Sequence, residues 1–242
     1  MRRFFSKLLN PRCVYINLYN SISEIPRYFN ITNYLNKKQN FIEFNNFKKN
    51  KNFFYKIRES FLSIFISSYE KDIISILDIG GGFNNVYDFI TNSSTKKIDV
   101  TVLETKMIVD LMKLETKGIQ NLNYIEDINN TQKNFDIIYF GTSFQYFISL
   151  EEFLSKIFKL KAKYIIIADT IFLEKRNSLV TLQINTFPSI IPQKFNNIDE
   201  VINLFKNSNY NLIYKSKRKP GKHNMLKKNE YFYRDLIFDN FD

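Results

Sequence analysis

The sequence predicts an α/β domain built on a mostly parallel sheet, and three observations carry that prediction. Apolar runs rich in β-branched residues recur from Ile73 onward, each of a length suited to a buried strand. Stretches with apolar residues at helical spacing separate them, the alternation expected of parallel strands joined by crossovers. The first run passes through Asp78 into Gly80-Gly81-Gly82 and then Asn84-Asn85, which reads as strand, tight turn and helix start.

Taken in order, residues 1–70 precede the first core strand and form a basic N-terminal unit. Phe4, Phe5, Leu8 and Leu9 share one side of a short helix closed by Pro11, residues 36–52 are a polar loop, and residues 53–69 carry a helix. From 71 to 242 the predicted order is strand, helix 86–91, strand 98–103, helix 108–116 and strand 122–125. Strand 135–140, helix 150–160, strand 164–168, helix 198–205 and strands 211–214 and 231–238 follow. Residues 179–187 read as a connection across the mouth of the site, because Pro188 and Pro192 come after them.

Composition narrows the possibilities. One cysteine, Cys13, excludes an internal disulfide, and with the single histidine it is too little for a zinc set, so no metal site is expected. No apolar run reaches the ~18 residues of a membrane span and no signal-peptide core is seen, so a cytoplasmic location is expected. The net charge of +11 is unevenly placed. Residues 1–70 hold twelve Lys and Arg against four acids, whereas 71–214 hold fifteen against sixteen. Residues 215–228 hold seven basic residues and no acid. Two basic flanks on a neutral domain fit an anionic partner, and a basic amphipathic helix at the N-terminus is able to contact a membrane surface.

The glycine turn fits a nucleotide-type cofactor. The dinucleotide pattern Gly-x-Gly-x-x-Gly is met by Gly80 and Gly82 but has Asn85 in third place, and Asp78 would repel a pyrophosphate. A cofactor with cationic groups suits that acid better. A second acid, Glu104, ends the next strand 22 residues after Gly82, where ribose hydroxyls are bound in such folds. On these residues the chain resembles the class I, Rossmann-like S-adenosylmethionine-dependent methyltransferases. Asp78-Ile-Gly-Gly-Gly is similar to their first motif and Glu104 to their second, with Asn84 where a third glycine is usual. More narrowly, the triple glycine and the tail are similar to a methyltransferase family encoded beside surface-polysaccharide genes.

The resemblance implies seven strands in the order 3-2-1-4-5-7-6, the last antiparallel, with a helical cap from residues 1–70. It implies S-adenosylmethionine as cofactor, held by Asp78, Gly80, Gly81, Gly82, Asn84 and Glu104. Asp127 would reach the adenine amino group or simply cap the next turn. Gly141 and Thr142, at the end of the fourth strand, would touch cofactor and substrate together. On the substrate side stand Gln145, Tyr146, Asp169 and Gln183, with Asn185 beside them. Tyr146 fits packing equally well, and Asp169 a loop cap. His223, among lysines, is the one side chain suited to act as a general base at neutral pH, or else an ordinary loop histidine.

Three functions are thereby open. A methyltransferase acting on a small hydroxylated molecule, a sugar or glycan precursor, follows from the resemblance. A nucleic-acid methyltransferase would use the basic flanks, although the Asn/Asp-Pro-Pro-aromatic motif is replaced by Gly141-Thr-Ser-Phe. A non-catalytic S-adenosylmethionine binder would keep the fold without a base.

Overall fold

In a computed structural model the described residues are 14–29, 45, 57–131, 133–184, 190–218, 226 and 230–241. The N-terminal helix around Phe4, most of the 36–52 loop, Asn185 and His223 lie outside them.

Among the described residues the first strand is β1 (Val14–Tyr19) and the first helix numbered here is α1 (Ile57–Ser67). It then alternates β2 (Ile73–Ile79), α2 (Tyr87–Ser93), β3 (Lys97–Leu103), α3 (Lys106–Glu115) and β4 (Leu122–Ile125). Next come β5 (Ile137–Gly141), α4 (Leu150–Phe158), β6 (Tyr164–Leu173), β7 (Leu179–Ile184) and β8 (Ile191–Asn197). Helix α5 (Ile198–Lys206) and strands β9 (Tyr210–Lys215) and β10 (Tyr231–Asn240) complete it.

Pairing along β4-β3-β2-β5-β6 is parallel throughout, and β10 then runs antiparallel between β6 and β9. The α/β, mostly parallel sheet is therefore present, but the expected count of seven strands is too low. Among the described residues ten strands are joined, the additional three being β1, β7 and β8. β7 pairs antiparallel with both β1 and β8, and β8 rejoins β6 through Phe172↔Asn196 and Leu173↔Asn197. Residues 179–187 are thus not a loose connection: their first six residues are a buried strand. Pro192 did not prevent β8, because it faces Leu182 of β7 while on the other edge β8 pairs with β6 only at Asn196 and Asn197 among the described residues, so a missing N–H costs little there.

Two apolar layers sandwich the sheet, as side-chain alternation along a strand requires. Leu77, Ile79, Ile138, Phe140, Ile165 and Ile167 face α4 and α5 on one side. Ile74, Ile76, Ile137, Tyr139 and Ile166 face α1, α2 and α3 on the other. Helix α1 is packed beneath the sheet, with Leu62 and Ile66 fully buried. Strand β1 reaches the opposite, functional end, where Tyr15 lines the cavity described below. No described helix is long and apolar enough to cross a membrane.

Candidate cofactor and acceptor site

Parallel strands β2, β3, β4 and β5 end together, and their carboxyl ends open into a cavity of about 640 Å³. Ile79 and Gly80, Leu103 to Thr105, Glu126 to Ile128, and Thr142 and Ser143 come from these ends, the place where ligands bind in open α/β sheets. The far wall is made by Gln145, Tyr146, Asp169, Ile171, Gln183, Gln193, Tyr233 and Tyr15.

The glycine turn is built by close packing. Gly80 has φ +71°, and a Cβ there would stand 2.6 Å from Ser143 Cβ. Gly82 has φ +63°, also in the left-handed region where glycine is at home. Ser143 Oγ donates to the Ile79 carbonyl, tying the turn after β5 to the turn after β2. Thr142 adopts φ +69° directly after Gly141, whose Cβ would come 2.8 Å from the Tyr139 ring.

Asp78 sits beneath this turn and is 1% exposed. Its Oδ2 accepts from Val86 N at 3.2 Å, and it does not line the cavity. Asn85 rather than Asn84 holds the helix start: Tyr87 N donates to Asn85 Oδ1 at 2.9 Å, and Asn85 Nδ2 donates to the Tyr124 hydroxyl at 2.6 Å. Asn84 is exposed, and neither it nor Gly81, Gly82 nor Gly141 lines the cavity. The amides expected to face a ligand at the start of α2 are thus taken by side chains of the turn itself.

Glu104 lies on the cavity wall. Gly82 N donates to its Oε1 at 3.1 Å and Thr105 N to its Oε2 at 2.8 Å. Burial pushes its carboxyl above the ordinary glutamate value, and these two amides offset part of that rise. Asp127 also lines the cavity while accepting from Asn129 N at 3.0 Å, so it caps the turn Ile128–Asn130 and faces the cavity at once.

The sequence-predicted substrate residues are brought together on the far wall. Gln145 Nε2 donates to the Thr142 carbonyl at 2.5 Å, and the Tyr146 hydroxyl donates to Gln183 Oε1 at 3.0 Å. Asp169 is placed differently from the expectation that it closes a strand. β6 continues to Leu173, and Asp169 sits within it at φ +51°, where the pairing with β10 slips by one residue. This bulge turns it toward Arg218, whose Nη2 donates to Asp169 Oδ1 at 2.8 Å and to Asp235 Oδ1 at 3.0 Å. Asp235 also accepts from Asp169 N at 2.8 Å and from Ser216 Oγ at 2.8 Å. Two charges of the 215–228 run are therefore paired within the protein, since Lys217 Nζ also lies 3.2 Å from Glu174 Oε2.

Tyr15, Gln193 and Tyr233 are cavity residues that the sequence reading did not single out. Each arrives through long-range pairing: Tyr15 opposes Gln183, Gln193 opposes Thr181, and Tyr233 opposes Ile171. No local motif marks them.

The sequence matches no protein-family model and no curated protein. Solved structures do match, and they define the fold as that of Rossmann-like S-adenosylmethionine-dependent methyltransferases. An S-adenosylmethionine-dependent methyltransferase from Clostridium acetobutylicum aligns with TM-score 0.53 at 12% identity, over 85% of this chain and 99% of that one. The 1,6-didemethyltoxoflavin-N1-methyltransferase of Burkholderia thailandensis, with 1,6-didemethyltoxoflavin and S-adenosylhomocysteine bound, aligns with TM-score 0.52 at 10% identity, over 88% and 94%. Magnesium protoporphyrin IX methyltransferase from Synechocystis, with S-adenosylhomocysteine bound, gives 0.51 at 9%, over 88% and 92%.

Proposed function

We propose that the protein is an S-adenosylmethionine-dependent methyltransferase acting on a small hydroxylated molecule, a sugar or glycan precursor being the class that the family resemblance favours. The observation that carries this reading is the convergence of Gly80, Glu104 and Asp127 from three neighbouring strands on one cavity. The residues present fit this cofactor better than a phosphate-bearing one. Gly82 N is given to Glu104, and the amides of Val86 and Tyr87 to Asp78 and Asn85, so phosphate would meet carboxylates where it needs donors.

In this reading Glu104 accepts from ribose hydroxyls, and Asp127 accepts from the adenine amino group. Leu103, Ile128, Phe147 and Phe153 supply the apolar walls for the adenine ring. When bound, S-adenosylmethionine supplies a methyl group on a sulfonium, so the protein's work is mainly in-line placement. Gln145, Tyr146 and Gln183 orient the acceptor. Asp169, fixed by Arg218, would accept the hydrogen bond of the attacking hydroxyl or amine and take its proton. His223 is a second candidate for that proton, and residues 1–70 and 215–228 remain candidates for an anionic partner. A cytoplasmic location is part of the same proposal.

Calorimetric titration with S-adenosylmethionine tests the assignment. Wild-type protein is expected to bind in the micromolar range, and Glu104→Ala to bind at least about tenfold more weakly. No binding to wild type would overturn the methyltransferase reading.

A further inference from the structure

The cavity carries an electrostatic signature that the fold does not impose. In a chain of net charge +11, it is lined by three carboxylates on the cofactor side (Glu104, Glu126 and Asp127), one on the acceptor side (Asp169) and one lysine, Lys156. That lysine lies 3.5 Å from Glu152, and Glu126 lies 3.6 Å from Lys106, so each is partly answered from outside the cavity. At the far wall Arg218 stands between two carboxylates, which leaves the group with a net negative charge.

The same wall holds two frustrated amides. Gln145 is 9% and Gln193 1% exposed, both line the cavity, and Oε1 of each is buried without a hydrogen-bond partner among the described residues. The bond from Gln145 Nε2 to the Thr142 carbonyl fixes which end of that amide is the oxygen. A buried acceptor left unpaired costs about 1–3 kcal/mol, and these two stand on one wall of one cavity. The terminal side-chain torsion of a glutamine is soft, so reorientation can present such an oxygen to a ligand, for Gln145 by exchanging its bond to Thr142.

We propose, resting on the methyltransferase reading for the location of the acceptor half, that the acceptor is a neutral or cationic small molecule bearing two hydrogen-bond donors. Gln145 Oε1 and Gln193 Oε1 take those donors, Tyr15 and Tyr233 enclose the molecule, and Asp169 faces its reacting hydroxyl or amine. Phosphorylated acceptors, nucleotide-sugars included, are rejected. They would bring further negative charge beside Asp169, where Arg218 is already shared by two carboxylates. Within the glycan class this points to a free polyol or amino sugar.

Two measurements test this, and neither depends on turnover. The first is saturation-transfer NMR on wild-type protein, with and without S-adenosylhomocysteine, using myo-inositol and D-glucosamine against D-glucose 6-phosphate and UDP-glucose. Signal is expected from the first two probes alone, and it is expected to weaken at least about tenfold in Gln193→Leu. Silence from both unphosphorylated probes, or equal signal from the phosphorylated ones, overturns the proposal. The second is the melting temperature of Gln193→Leu without ligand. Removing an unpaired buried acceptor should leave it unchanged or raise it by a few degrees, whereas a clear fall would show that the oxygen is already satisfied and overturn the proposal. Failure of S-adenosylhomocysteine to bind while the unphosphorylated probes still bind through Gln193 would sink the methyltransferase reading and leave this one standing.

Discussion

Glu104 is the residue whose chemistry is most exposed to test. Its carboxyl is held above the ordinary value of 4.5 chiefly by burial. The folded protein therefore binds this proton more tightly than the unfolded chain does, so the residue's contribution to stability falls as pH rises from 4.5 through the raised value. A ribose diol needs the ionised form as its acceptor, so cofactor affinity should move the other way. Titration with S-adenosylhomocysteine between pH 5 and pH 8 should show affinity rising with pH, and Glu104→Gln should flatten the profile. A wild-type profile as flat as the variant's would remove Glu104 from the ribose site. Gly80 gives a complementary prediction. Alanine there must adopt φ +71° with its Cβ 2.6 Å from Ser143 Cβ, so Gly80→Ala should destabilise by more than about 1 kcal/mol and impair cofactor binding. Thermal melts and calorimetry read both effects, and an unchanged melting temperature would contradict the packing described.

At the scale of elements, the informative ones are β6 and the three strands beyond the usual series. The run Tyr164–Ala168 announces a buried strand because every position is apolar, but its extension to Leu173 is hidden behind Asp169-Thr170, a polar pair that reads as an end. The extension exists because Asp169 bulges and Asp235 accepts its amide, a contact across 66 residues that no local pattern records. β8 was illegible for a related reason: Pro192, Gln193, Lys194, Asn196 and Asn197 look like a loop, and only pairing to β7 makes them a strand. The glycine turn, Glu104 and Asp127 were legible because they follow strands whose apolar character is local. Tyr15, Gln193 and Tyr233 were not, since their place depends on partners far away in sequence. The Arg218 bridge can be broken to see what it holds. Arg218→Ala leaves Asp169 and Asp235 facing each other without Arg218 between them, and since Arg218 and Asp169 are each about a third exposed the loss should be on the order of 1 kcal/mol. The variant should melt lower, and adding Asp235→Asn should recover part of the loss. No recovery would mean that the bridge acts through packing instead.

For the whole molecule, the two halves of the cavity are mounted on supports of unequal strength. The cofactor half rests on β2, β3 and β5, whose apolar side chains are buried in two clusters, one on each face of the sheet. The acceptor half rests partly on β1, β7 and β8, where β1 pairs with β7 and β8 touches β6 through two residue pairs. The apolar cluster around Ile25, Val180 and Leu182 is small by comparison. Stability within a fold follows such differences in buried contact, so local opening should be cheaper here than in the parallel core. Hydrogen exchange should then show β1 and β7 exchanging through partial opening while β2 and β5 exchange only with global unfolding. A ligand that fills the acceptor half binds the closed annex alone and stabilises it by mass action. S-adenosylhomocysteine should therefore slow exchange mainly at the carboxyl ends of β2 to β4, and an acceptor should slow it in β1, β7 and β8. Uniform protection across all ten strands, with no earlier opening of β1 and β7, would show one cooperative unit and remove the distinction drawn between the two halves.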